Sequence, residues 1–201
     1  MTITVLLLLP GLLMANEVYF SPKGHIRDQI LKRINHSRTS IDIAMYSLTS
    51  REIADALARA KERGVRVRVV RDLSQTSEKE DEDVVLEQAA IEVHILKGLG
   101  RGIMHDKFAV FDGQEGFTGS YNWTNNAEYD NYENAYFFND PHIVQAYARE
   151  FEVLWAMEPI AAKERSARQP VGSLPFLRTH PAMSVFGLFF VLLALAAALS
   201  T

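Results

Sequence analysis

This chain predicts an α/β fold with a mixed β-sheet sandwiched between helices. Three observations carry that expectation. Segments with a two-residue apolar period alternate with segments of helical period in the first half. Strand-like segments then cluster in the second half, an order that suits a mixed sheet. Asp112-Gly113 joins two of the late segments as a good turn dipeptide.

Val18 to Phe20 reads as a short strand. His25 to Ser37 places Ile26, Ile30 and Ile34 four residues apart, the stripe of an amphipathic helix. Ile41, Ile43 and Met45 alternate along a strand from Ser40 to Tyr46. Thr49-Ser-Arg-Glu52 fits a capping box, opening a helix that runs to Arg63 and stops at Gly64. Val65 to Val70 is a strand ending at Asp72. Gln75 to Asp83 is a charged, solvated stretch leading into a helix through Val84, Val85, Leu86 and Ala89. Ile91 to Leu96 is a strand, and Lys97 to Gly102 is a glycine-rich loop. Met104 to Phe111 and Glu115 to Thr118 form the hairpin, and Asn134 to Phe138 is a further strand. Asp140 caps a final helix with Pro141 in its first turn, striped by Val144, Tyr147, Phe151 and Leu154.

The chain has 201 residues, a formal charge of −4 and no cysteine. The missing cysteines exclude disulfides, thiolate metal sites and a cysteine nucleophile. Residues 16–156, the predicted catalytic domain, carry 17 Lys and Arg against 23 Asp and Glu, a balance of −6. Such a domain does not attract nucleic acid through bulk charge. A polyanion needs a local patch, for which Lys97, Arg101 and Lys107 are the candidates.

The ends differ from the middle. Residues 182–200 contain no charged side chain and, as a helix at ~1.5 Å per residue, extend about 28 Å, close to the ~30 Å of a hydrocarbon core. They read as a C-terminal transmembrane helix, joined to the domain by a linker, residues 157–181, with four prolines. Residues 1–15 read as a signal-like or membrane-associated apolar segment, broken by Pro10-Gly11. A cleaved signal puts the domain outside the cytoplasm. Lys163, Arg165, Arg168 and Arg178 before the last apolar stretch put it inside. Membrane attachment is the expectation common to both orientations.

The chemistry sits in one stretch. His105 and Lys107 are two residues apart, so on a strand they share a face. Asp112 follows, then Gly119-Ser120-Tyr-Asn122. The set offers an imidazole that works near pH ~6.5, a fixed cation, and hydroxyl and carboxamide donors on a turn that Gly119 lets approach closely. These groups suit a phosphodiester: one attacks phosphorus or moves a proton, and the others hold the phosphoryl oxygens. His25, His36, His94, His142 and His180 lack such company.

The spacing H-x-K-x4-D-x6-G-S-x-N resembles the HKD motif of the phospholipase D superfamily at every fixed position. The resemblance covers roughly residues 17–156. It is strongest to members with one motif per chain, such as a bacterial secreted endonuclease and the mitochondrial cardiolipin hydrolase. It implies a mixed sheet between helical layers, with His105 as nucleophile and mainly structural support from Asp112. It also implies that Glu133 hydrogen-bonds the second ring nitrogen of that histidine. Spacing alone does not separate Glu133 from Glu128 or Asp130. The implied chemistry uses no metal and no cofactor. It needs two histidines, and with one motif per chain it implies a two-fold homodimer sharing one active site. Three readings follow: an endonuclease on DNA or RNA, which is favoured; a phospholipase D or cardiolipin hydrolase; and an inactive dimeric binding module. On the first, Tyr121 or Trp123 could stack on a base, with core packing as their alternative.

Overall fold

The computed structural model describes residues 16–76 and 81–160, all within one compact unit. Seven strands form one sheet: β1 (Glu17–Phe20), β2 (Ser40–Met45), β3 (Arg66–Asp72), β4 (Glu92–Leu96), β5 (Lys107–Phe111), β6 (Glu115–Gly119) and β7 (Asn134–Phe138). The helices are α1 (Ile26–His36), α2 (Arg51–Glu62), α3 (Asp81–Gln88), α4 (Asn125–Tyr129) and α5 (Pro141–Trp155). The spatial order is β1-β7-β6-β5-β2-β3-β4. β2, β3 and β4 run parallel, and β5 enters antiparallel beside β2 and continues antiparallel through β6, β7 and β1. The mixed α/β architecture expected from the sequence is therefore present.

Strand alternation divides the core. Ile41, Ile43, Val67, Val69, Ala109 and Phe111 pack with the apolar stripes of α1 and α2. Ala44, Val70 and Phe108 face the other way and meet Phe151 and Leu154 of α5. On that second face Asp42 binds Arg68, whose guanidinium reaches Glu152 of α5 and lies over the rings of Phe151 and Trp155. At α5, Asp140 accepts from the N–H groups of His142 and Ile143, as a cap should. Gly64, with φ +89°, terminates the turn after α2.

Several local expectations are corrected. The capping box at α2 does not close: Ser50 is the cap residue without a side-chain bond, and Glu52 turns away to pair with Arg27. A tertiary ion pair outcompetes the local one. The strand read from Met104 begins only at Lys107, because the Met104 N–H goes to the Asp72 carboxylate instead of to a neighbouring strand. The short α4, capped by Thr124, was not anticipated. Tyr121 and Trp123 are fully buried, so neither offers a ring to a base.

Among the described residues no helix is long and apolar enough to cross a membrane. The signal-like segment 1–15, most of the linker and the transmembrane helix expected at 182–200 lie outside the described residues.

Candidate active site

The strand directions gather one edge of the sheet into a site. β2 and β3 end there, β5 begins there, β6 ends there and β7 begins there. This is the carboxyl edge of the parallel strands, where α/β sheets place their ligands. His105, Lys107, Gly119, Ser120 and Glu133 all come to this edge.

His105 precedes β5 and is exposed. Lys107, the first residue of β5, is only 9% exposed, and its ammonium turns back to donate to the His105 carbonyl at 2.9 Å. His105 lies before the strand rather than on it, and the lysine's turn back to the His105 carbonyl couples the two residues. Burial depresses the Lys107 pKa, while the charges of Glu133 and Asp106 act to raise it.

Gly119 has φ +154°, and a Cβ there would lie 2.2 Å from the Asn134 carbonyl oxygen, so only glycine lets β6 and β7 meet so closely. The next residue profits. The Ser120 N–H donates to that same carbonyl at 3.1 Å, and Ser120 Oγ accepts from the Asn134 N–H at 3.1 Å. Its hydroxyl donates to Glu133, whose other carboxylate oxygen accepts from the Asn131 side chain at 3.0 Å. Ser21, just after β1, holds this segment, donating to the Asn131 carbonyl at 2.9 Å and accepting from the Glu133 N–H at 3.2 Å. Asn122 Oδ1 is buried without a hydrogen-bond partner among the described residues.

The three acidic candidates separate by position. Glu133 joins Ser120. Glu128 is buried and accepts from Tyr121 Oη at 2.7 Å and from the Arg27 N–H at 3.1 Å. Burial and that carboxylate push the Tyr121 phenol above its ordinary value. Asp130 is exposed at the end of α4. Within the chain, Glu133 is engaged by Ser120 and Asn131, and no hydrogen bond to the His105 ring is made among the described residues.

Asp112 does not reach the cluster. It lies at the far end of β5, roughly 16 Å from Lys107 at ~3.3 Å per residue. There its carboxylate accepts from the N–H groups of Arg38, Thr39 and Ser40 and from the Thr39 hydroxyl, at 2.8–3.0 Å. Burial raises its pKa, but these donors outweigh burial and hold it below the ordinary aspartate value. The basic patch suggested from sequence is also divided, with Lys97 and Arg101 exposed on the loop and Lys107 buried at the start of β5.

Two participants lay outside the motif. Tyr46, one residue past β2, sets its ring edge-on to the His105 imidazole at 4.7 Å. Asp72, the buried end of β3, accepts the Met104 N–H at 2.6 Å. The only sequence signal for either is a polar residue closing an apolar strand.

Imidazole, ammonium, hydroxyl and carboxylate gathered at one edge of a mixed sheet mark the site of an α/β enzyme. The family described as "Cardiolipin synthase, PLD-like domain" matches residues 30–155. The chain is 35% identical over 127 residues to the mitochondrial cardiolipin hydrolase of Xenopus laevis, covering 63% of this chain and 60% of that protein. It is similar in structure to Nuc, a phospholipase D family member from Salmonella typhimurium, with a TM-score of 0.64 and 30% identity, covering 70% of this chain and 93% of that one. NucT from Helicobacter pylori gives 0.65 and 30%, covering 70% and 95%. The chain belongs to the family of phospholipase D-like domains. It spans 57% of the length of the mitochondrial cardiolipin hydrolases of Chlamydomonas reinhardtii and Mus musculus, and 63% of a Rickettsia prowazekii phospholipase D.

Proposed function

We propose that this protein hydrolyses phosphodiesters through a phosphohistidine intermediate, as a homodimer, with nucleic acid as the favoured substrate. The observation that carries the reading is the exposed His105, whose carbonyl accepts from the ammonium of the buried Lys107. His105 attacks phosphorus, and the P–O bond to the leaving group breaks. The partner subunit's His105, protonated, gives its proton to the leaving oxygen. Now neutral, that imidazole takes a proton from water, and the water oxygen displaces His105 from phosphorus. Lys107 and the Asn122 amide N–H hold the non-bridging oxygens as charge builds on them, and Ser120 joins them once its hydroxyl turns from Glu133 to the phosphoryl group. Glu133 orients Ser120.

The resemblance of the Gly119 to Glu128 run to the bacterial endonuclease supports the nucleic acid reading. A phospholipid substrate is the second reading. It is favoured by the relatives named mitochondrial cardiolipin hydrolase, by the acidic domain, and by the uncharged run 182–200, which would hold the site near lipid. The inactive binding module has the least support, since every motif position is filled.

The deciding assay gives the full chain, in detergent with EDTA, single-stranded DNA, RNA and cardiolipin in mixed micelles, with His105→Ala beside it. Nucleic acid cleavage that falls by about 10³-fold or more in the variant supports the first reading. Phosphatidic acid release that falls likewise selects the second. Equal rates for variant and wild type on every substrate would sink the hydrolase.

A further inference from the structure

The segment carrying the nucleophile is gripped by a ring that belongs to no motif position. The Tyr46 N–H donates to the Asp106 carbonyl at 2.9 Å. Its ring meets the His105 imidazole edge-on, with centroids 4.7 Å apart and planes at 66°. The Lys107 ammonium lies 5.1 Å from the centroid of the same ring. The Tyr46 hydroxyl oxygen accepts from Gln75 Nε2 at 3.0 Å. Gln75 closes the 3₁₀ turn Leu73–Gln75 after β3, and its carbonyl accepts from Arg71 at 3.1 Å. One aromatic side chain therefore touches both groups on which the chemistry depends, and a second strand end fixes that side chain.

We infer that Tyr46 is a positioning residue of this site, with Gln75 as its anchor. The inference rests on the hydrolase reading of His105 and Lys107. An exposed imidazole with no hydrogen bond to another described residue has several staggered rotamers open to it. The edge of a fixed aromatic ring selects among them, because the imidazole packs against it in one orientation. The face of the same ring attracts the ammonium, keeping a lysine of four rotatable bonds folded under His105 rather than extended to water. A leucine at position 46 would fill similar space but offer neither contact. A phenylalanine would keep both and lose only the bond to Gln75.

The test uses the full chain with histidine rings labelled at Cε1, and His105→Ala to assign the resonance. Turnover is followed on bis(p-nitrophenyl) phosphate, a phosphodiester that is neither nucleic acid nor lipid. Tyr46→Leu is expected to move the His105 resonance away from its ring-current-shifted position. It should also lower kcat about 100-fold, as a misplaced nucleophile does, with KM within about threefold. Tyr46→Phe keeps the ring but loses the Gln75 bond, so it is expected to recover the resonance position and kcat in part, to the level of Gln75→Ala. If Tyr46→Leu fails to fold, Gln75→Ala reports instead: it leaves the ring in place but unpinned, and should shift the resonance and lower kcat less. An unmoved His105 resonance in the folded variant overturns the inference whatever the rates. A moved resonance with unchanged kcat overturns it as well. A resonance moved by Gln75→Ala, which keeps the ring, in a protein that shows no His105-dependent hydrolysis keeps the positioning and removes the hydrolase reading.

Discussion

Lys107 concentrates the conflict between stability and activity in one side chain. Burial disfavours its charge, yet only the charged form can hold phosphoryl oxygens. Its folded pKa lies below that of the unfolded chain, so the unfolded state binds the proton more strongly. Stability from this group therefore rises with pH between the folded and unfolded values, while activity falls over the same window as the ammonium is lost. The alkaline limb of the kcat profile is expected below the ~10.4 of a free lysine. Lys107→Met is expected to lose about 10²- to 10³-fold in kcat, the scale of one deleted oxyanion donor, with a Tm equal to or above wild type. Rate profiles across pH 7 to 11 and thermal unfolding check the pair, and a variant that is inactive because it is less stable contradicts it. His105, Lys107, Gly119, Ser120 and Asn122 were legible in the sequence because one hairpin carries them, and spacing within a hairpin survives folding. Glu133 was separable from Glu128 only by family resemblance, since both follow the hairpin and only tertiary contacts bury one of them. Tyr46 and Asp72 were not legible. The insertion of β5 beside β2 brings them to the site, and that pairing spans about sixty residues of chain, beyond any local pattern.

At the scale of elements, the motif aspartate is a clamp on a turn. Asp112 adopts φ +54° and Gly113 φ +65°, the left-handed pair of a tight hairpin. From there Asp112 pins the α1–β2 connection to the β5–β6 turn, fixing β5 in register against β2. Its folded pKa is lowered, so its stabilisation is present above the unfolded value of ~3.9 and is lost as pH falls through the folded one. Asp112→Ala is expected to cost about 1–3 kcal/mol at neutral pH, the range for hydrogen bonds to a charged group, and progressively less in acid. Denaturant unfolding at pH 7 and pH 3 measures both. Its turnover, taken below the unfolding transition, should fall less than that of Ser120→Ala, because the clamp and the cluster occupy opposite edges of the sheet. A constant cost across pH would remove the charge from the explanation. The long elements followed their periodicity: α1, α2 and α5 lie within a residue or two of expectation. The misreadings fell where side chains capture backbone groups. The Asp72 carboxylate takes the Met104 N–H and delays β5, and the Thr124 hydroxyl takes the Ala127 N–H and starts α4.

The whole molecule poses a problem of number. The proposed reaction needs an imidazole on each side of phosphorus, and among the described residues no second imidazole contacts His105. Leu99 is 97% exposed and Tyr132 93%, with Ile103 half-exposed, each within six residues of His105 or adjacent to Glu133. Apolar side chains displayed so close to a polar cluster are what a second copy would cover, bringing the two clusters together. Each catalytic centre would then need two intact chains. Wild type and His105→Ala, mixed at constant total concentration and allowed to exchange, should lose activity as the square of the wild-type fraction. At equal parts that leaves about a quarter of the starting rate, where independent sites would leave about half. Dilution should lower the rate per chain once the concentration falls below the dimer dissociation constant, and Leu99→Ser with Tyr132→Ser should move that fall to higher concentration. A linear mixing curve from a chain that sediments as a monomer would leave one imidazole to do both jobs, and the two-histidine mechanism would have to be abandoned.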